Sequence, residues 1–183
     1  MSSTPAVKKI VLVRHAKSSW GLDVDDHERP LSGRGRRDSL AVGAFLRERD
    51  LQPDLVACST AARAQQTWHR AVKGGASAKE VALEDDIYEA WVPELLKVIR
   101  KTSEKVSTLM LVGHAPGIPD LVNKLGDRKE RKGLWATMDN KFPTSGIAVL
   151  SYVGEWRDLS KQSASLESFD VPRGKKKKKY DAP

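Results

Sequence analysis

Four short apolar runs, at residues 9–13, 55–58, 81–83 and 108–112, alternate with segments of helical length and period. Runs rich in β-branched residues and bounded by turn residues read as strands buried on both faces. Between them, Ser32 is a cap for a helix over 33–49, stopped by the breaker at 50–53, with Leu40, Phe45 and Leu46 expected to face inward. Thr60 is the expected cap of a second helix over 61–72, closed by Gly74 and Gly75. Pro93 opens a third over 93–101, and 116–125 makes a fourth that Gly126 stops. Residues 146–152 and 155–159 read as a closing strand pair that turns at Val153 and Gly154. Strands alternating with helices predict a single-domain α/β three-layer sandwich, its sheet mostly parallel with an antiparallel edge strand. That domain is expected over 1–160. From 161 to 183 the chain is poor in apolar residues and is expected to be a disordered, lysine-rich tail.

Charge and cysteine content narrow the partners. The formal charge is +8, but Arg173 and the lysines at 175–179 against Asp181 place +5 in the last eleven residues and leave +3 for the body. A lysine run behind Pro172 and Gly174 is a solvated tail that offers weak attraction to polyanions, so no specific nucleic-acid binding is expected. Cys58 is the one cysteine and permits no intramolecular disulfide, which makes a reducing cytoplasm the expected compartment. Apolar runs of four residues, such as 10–13 and 109–112, fall short of the roughly 20 a membrane span needs.

Two of the apolar runs end directly in a histidine, Val13-Arg14-His15 and Val112-Gly113-His114. Ligand crevices of open α/β sheets lie at the carboxyl ends of strands, so both imidazoles should converge on one site. Arg63 falls in the first turn of the second helix, where the helix dipole disfavours a cation unless an anion sits beside it. Arg34, Arg36 and Arg37 repeat that pattern at the start of the first helix. Histidines and arginines at these positions suit a phosphoryl group. Zinc would need three or four ligands at recognisable spacing, and none stand near His15 or His114. No GxxxxGK[ST] loop is present, and Gly33-Arg34-Gly35 neither follows a strand nor completes GxGxxG. Neither metal nor cofactor is expected.

With these motifs in order, Val13-Arg14-His15-Ala16, Leu31-Ser32-x-Arg34-Gly35, Ser59-Thr60-x-x-Arg63-x-x-Gln66-Thr67 and Val112-Gly113-His114, the chain resembles the histidine phosphatase superfamily over residues 9–152. Its size and spacing are similar to the SixA-type branch, the phosphohistidine phosphatases. The resemblance implies that His15 is the nucleophile, that Arg14, Arg63 and His114 surround the phosphoryl oxygens, and that Glu89 is the positional match to the carboxylate proton donor of many members. It also brings Ser145 forward as a substrate contact. Where many members carry an asparagine six residues after the nucleophile, this chain has Gly21, and Ser18 or Ser19 is the candidate replacement donor.

Blander readings accompany these. His69, Gln65 and Gln66 fit the exposed face of a helix, His27 a loop bordering the crevice, Glu84, Asp85 and Asp86 a solvated turn, and Cys58 a packing residue. Thr144-Ser145-Gly146 also reads as an ordinary turn. Trp20, in the loop after His15, would favour docking of a partner if exposed. The expected activity is metal-independent phosphate hydrolysis on phosphohistidine borne by a protein. The alternatives are a phosphatase of a small phosphorylated metabolite and a phosphate- or polyanion-binding module without turnover.

Overall fold

In β1 (Val7–Arg14), Ile10 and Leu12 belong to one core and Val11 and Val13 to another, all four at 1% exposure or less. Strand side chains alternate faces, so a run buried throughout requires a layer on each side of the sheet. The computed structural model, which describes residues 6–129 and 131–176, supplies both. On one face α1 (Gly33–Glu48) and α2 (Ala62–Lys73) pack Val42, Leu46 and Trp68 onto Val11 and Val13. On the other, α3 (Val92–Arg100), α4 (Gly117–Leu125) and α5 (Lys132–Asn140) bring Leu95, Ile99, Leu121 and Trp135 into the core of Ile10 and Leu12.

The sheet runs β3 (Glu80–Glu84), β2 (Leu55–Ser59), β4 (Thr108–Gly113), β1, β5 (Ile147–Val153), β6 (Ala164–Asp170). β1 to β4 are mutually parallel, β5 runs against β1, and β6 runs against β5. The single reversed strand is thus second from the edge, not at the edge. α1 approaches the loop after β1 so closely that a Cβ at Gly35 would lie 2.0 Å from the Lys17 carbonyl oxygen. Only glycine permits that contact. No helix of the described residues is long and apolar enough to cross a membrane.

Four expectations change. Residues 155–159 are not a strand. Trp156 is fully buried, donates its indole N–H to the Val106 carbonyl (2.9 Å) and turns Trp156–Asp158 into a 3-10 helix. The returning strand is β6, so part of the supposed tail completes the sheet, while residues 177–183 of that tail lie outside the described residues. Leu40 is 39% exposed, and the buried positions of α1 are Gly35, Asp38, Ser39, Val42, Gly43 and Leu46, with Phe45 packed at the margin. Ala61, not Thr60, is the N-cap of α2 and makes no side-chain cap. Thr60 instead meets His27 Nε2 through its hydroxyl (3.0 Å).

Candidate active site

Register brings the two histidines together. β1 pairs with β4 so that Arg14 lies opposite Gly113, and the next residues, His15 and His114, emerge side by side with ring centroids 5.1 Å apart. The His15 amide donates to the Gly113 carbonyl (2.9 Å). β2 is aligned with Cys58 opposite Val112, which sets Ser59 against His114, its Oγ 2.8 Å from Nε2. Arg63 follows one turn later at the start of α2, whose own first turn carries no acidic residue and whose N-cap Ala61 offers no side-chain cap, although Ser59 Oγ accepts from the Ala61 amide (3.3 Å).

His15 is 8% exposed, and its Nδ1 lies 2.7 Å from the Ala16 carbonyl oxygen. A carbonyl can only accept, so Nδ1 carries the proton and Nε2 keeps its lone pair. Burial, and then the charges of His114, Arg63 and Arg14, push the His15 pKa down to about 3 against the opposing pull of the Ala16 bond. Burial and the Arg63 charge likewise bring His114 to about 4, although Asp26 acts the other way. Both imidazoles are therefore neutral at physiological pH. Arg14 is fixed by donation from Nη1 to the Phe142 carbonyl (2.8 Å). Thr67 ties the loop after β1 to α2, accepting from the Ala16 amide (2.9 Å) and donating to the Arg63 carbonyl (2.7 Å). Gln66 is more than a surface residue, because its Oε1 accepts from the Leu31 amide (2.9 Å).

Buried polar atoms without partners are costly, about 1–3 kcal/mol each, and proteins seldom keep them without use. Among the described residues seven such side-chain atoms occur, and four belong to this one cluster: Arg14 Nε, Arg63 Nε, His114 Nδ1 and Ser145 Oγ. An anion with several acceptor oxygens would satisfy such a set. Ser145 is fully buried, with its amide shared between the carbonyls of Arg14 (3.1 Å) and His15 (3.2 Å).

The other candidates stand further out. Ser18 is buried and accepts from Arg29 Nη1 (2.8 Å), and Ser19 donates its amide to the Pro30 carbonyl (2.8 Å). Glu89 is exposed, in left-handed backbone at φ 53°, two residues before Trp91, the N-cap of α3. His69 is exposed, Asp85 and Asp86 form part of an exposed 3-10 turn, and Cys58 is buried with its thiol pushed up to about 12 by burial. Trp20 is 71% exposed with the Arg29 guanidinium 3.6 Å from its ring centre.

Asp26 and Tyr88 were not anticipated. Asp26 occupies Arg63, accepting from Nη1 at its carbonyl (2.6 Å) and from Nη2 at its carboxylate (3.0 Å). Tyr88 donates to the same carboxylate (2.8 Å) and sets its ring edge-on to His114, centroids 5.7 Å apart. Burial would raise the Asp26 carboxyl, but the bonds from Tyr88 and Arg29 and the Arg63 charge outweigh it and hold the pKa at about 2. The acidic stretch Asp23, Asp25, Asp26, Glu28 was the available signal, and nothing in it marks one carboxylate over the others.

Comparison with known proteins adds an independent line. The sequence profile described as the histidine phosphatase superfamily (branch 1) matches residues 10–105. An uncharacterized protein of Mycobacterium tuberculosis is 37% identical over 163 residues, covering 88% of this chain and all of its own. A Nakamurella multipartitia structure named for the phosphohistidine phosphatase SixA superposes with a TM-score of 0.77 at 32% identity, over 93% of this chain and 99% of its own. A similarly named Agrobacterium tumefaciens structure gives 0.73 at 29%, over 90% and 99%. With the paired strand-end histidines and a profile match across more than half its length, the chain belongs to the histidine phosphatase superfamily and is a phosphatase.

Proposed function

We propose that this phosphatase acts on phosphohistidine carried by a protein, with His15 as nucleophile. The observation that carries the reading is a neutral His15 whose Nε2 lone pair is left available by the Nδ1 to Ala16 bond, beside cationic and hydrogen-bonding groups. Nε2 attacks phosphorus, the bond from phosphorus to the substrate imidazole breaks, and that imidazole leaves with the electron pair and takes a proton from solvent. Water then attacks the phosphorus on His15, the Nε2–P bond breaks, and inorganic phosphate departs. Phosphoryl transfer has a loose transition state with charge on the equatorial oxygens, so catalysis is mainly positioning plus donors. Arg14, Arg63, His114 and Ser145 are the donors in this account.

Leaving-group chemistry and access support phosphohistidine. An imidazole departs with little acid help, whereas an alkoxide needs a well-placed donor. Glu89, the proposed donor for alkoxides, is exposed and has no hydrogen bond to its carboxylate among the described residues. The connections between Arg63, Glu89 and His114 are short, and the rest of α2, β3, a 3-10 turn, α3 and β4 account for most of them, so the described residues hold no cap domain over the crevice. The structures of the two SixA-named proteins, similar at 29–32% identity, favour the same substrate class.

The test is turnover, in EDTA, of a 32P-phosphohistidine protein and a panel of aryl and alkyl phosphates. Acid-labile phosphate should appear on wild type and be absent from His15→Ala, with phosphohistidine preferred. Near-normal turnover by His15→Ala would overturn the nucleophile, and preference for a metabolite phosphate would overturn the substrate.

A further inference from the structure

Asp38, in the second turn of α1, is a carboxylate at 1% exposure. A charge out of water needs partners, and Asp38 has three: Arg34 Nε (3.3 Å), Arg173 Nη1 (2.9 Å) and the Gly174 amide (3.0 Å). Two of the three come from the far end of the chain. Arg173 Nη1 also donates to the Thr144 carbonyl (2.9 Å). Gly174 lies flat on α1, where a Cβ would stand 2.4 Å from the Arg37 carbonyl oxygen. Residues 173 and 174 therefore form a strap, contrary to the expectation of a loose lysine-rich end.

The strap fixes where the lysine run begins. Thr144 precedes Ser145, whose amide donates to the carbonyls of Arg14 and His15, so Lys175 starts at the active-site end of the sheet. Lys17, Arg34 and Arg36 are exposed at the same end, as are Lys175 and Lys176. Lys17 is tied there because its carbonyl accepts from the Ser32 amide (2.8 Å). The loops at 25–28 and 85–89, joined by the Tyr88 to Asp26 bond, instead expose Asp25, Glu28, Asp86 and Glu89. The crevice rim is thus divided by sign.

We propose that the strap and the start of α1 form a docking surface for an acidic protein, seating its phosphohistidine at the His15 crevice. This rests on the substrate reading above. A folded protein can match a rim of two signs, whereas a nucleic acid would meet the acidic loops with like charge.

Two variants test it. One changes Lys175 and Lys176 to Gln and keeps Arg173 and Gly174. The other inserts a flexible Gly-Ser linker of about 12 residues after Gly174, moving the run by roughly 20 Å while keeping its charge. On an acidic phosphohistidine protein the glutamine variant should raise KM about tenfold at about 50 mM salt, with the difference gone near about 0.5 M. The linker variant should also raise KM, and aryl phosphate turnover should stay at the wild-type rate in both. An unchanged KM in either variant would overturn the proposal, as would an equal loss on a neutral phosphohistidine peptide. If wild type hydrolyses aryl phosphate but no phosphohistidine protein, the substrate reading fails by itself. Docking is then read from anisotropy binding of the unphosphorylated acidic protein. Equal affinity of wild type and the glutamine variant, or tighter wild-type binding to single-stranded RNA, would overturn it.

Discussion

Ser145 sits at φ 66°, left-handed backbone that costs a side chain about 1–2 kcal/mol, with a buried hydroxyl that has no protein partner. Both costs are removed by Ser145→Gly. That variant should melt higher than wild type while losing turnover, since the proposed phosphate donor is gone; higher stability with full activity would show that Ser145 only shapes the turn. Asp26 gives a second test, because in the proposed mechanism Arg63 exchanges its carboxylate for the phosphoryl group. Arg63 is buried but the Asp26 carboxylate is about half open to solvent, which screens the pair towards the roughly 1 kcal/mol or less of exposed pairs, so Asp26→Asn should tighten inhibition by inorganic phosphate about two- to fivefold. Weaker inhibition would mean that Asp26 holds Arg63 in its working pose. His15 and His114 were legible because each follows the end of a strand's hydrophobic run, and Arg63 because a cap expected at Thr60, in fact Ala61, still put it in the first turn of α2. Asp26 was not, since only the path of an irregular loop carries it to Arg63.

β6 shows how an element far from the chemistry reaches it. Phe169 on β6 stacks against Phe142 (centroids 4.9 Å), and the Phe142 carbonyl holds Arg14. Phe169→Ala should cost about 2 kcal/mol, below the 3–5 of a fully buried phenylalanine, and lower kcat by about tenfold through a displaced Arg14. Urea unfolding and steady-state rates check both, and an unchanged kcat would sever the link. The strand was illegible for a reason visible in its residues. Only Ala164 and Leu166 are buried, the pairing with β5 shifts register between Val149 and Leu150, and Ser165, Glu167 and Ser168 dilute the alternation. Inner strands carry side chains to two cores and so announce themselves, as 108–112 did. α5 buries only Trp135 and Met138, too short a stripe to declare a helix.

Across the whole molecule, two neutral histidines make stability depend on pH. Unfolded histidine titrates near about 6.5, whereas His15 and His114 in the fold reach only about 3 and 4. Their folded values are depressed, so as pH falls below about 6.5 the unfolded chain takes up protons that the fold refuses, and stability is lost. From pH 7 to pH 5 wild type should lose about 2 kcal/mol more than His15→Ala, measured by urea unfolding at each pH; parallel losses would place His15 in a solvated setting. The sheet order also sets a timetable for synthesis. Lys9 pairs with Thr108 in β4, and β1 is flanked on its other edge by β5, which ends at Val153. At about 5–20 residues per second, β1, which leads into His15, emerges roughly 5–20 s before its first neighbour exists. Through that interval residues 10–13 are a bare apolar segment of the nascent chain, able to stick to others, and a charge beside such a segment discourages this. Lys8 and Lys9 provide that charge at its head, and in the finished protein the same lysines pair with Glu104 and Glu167.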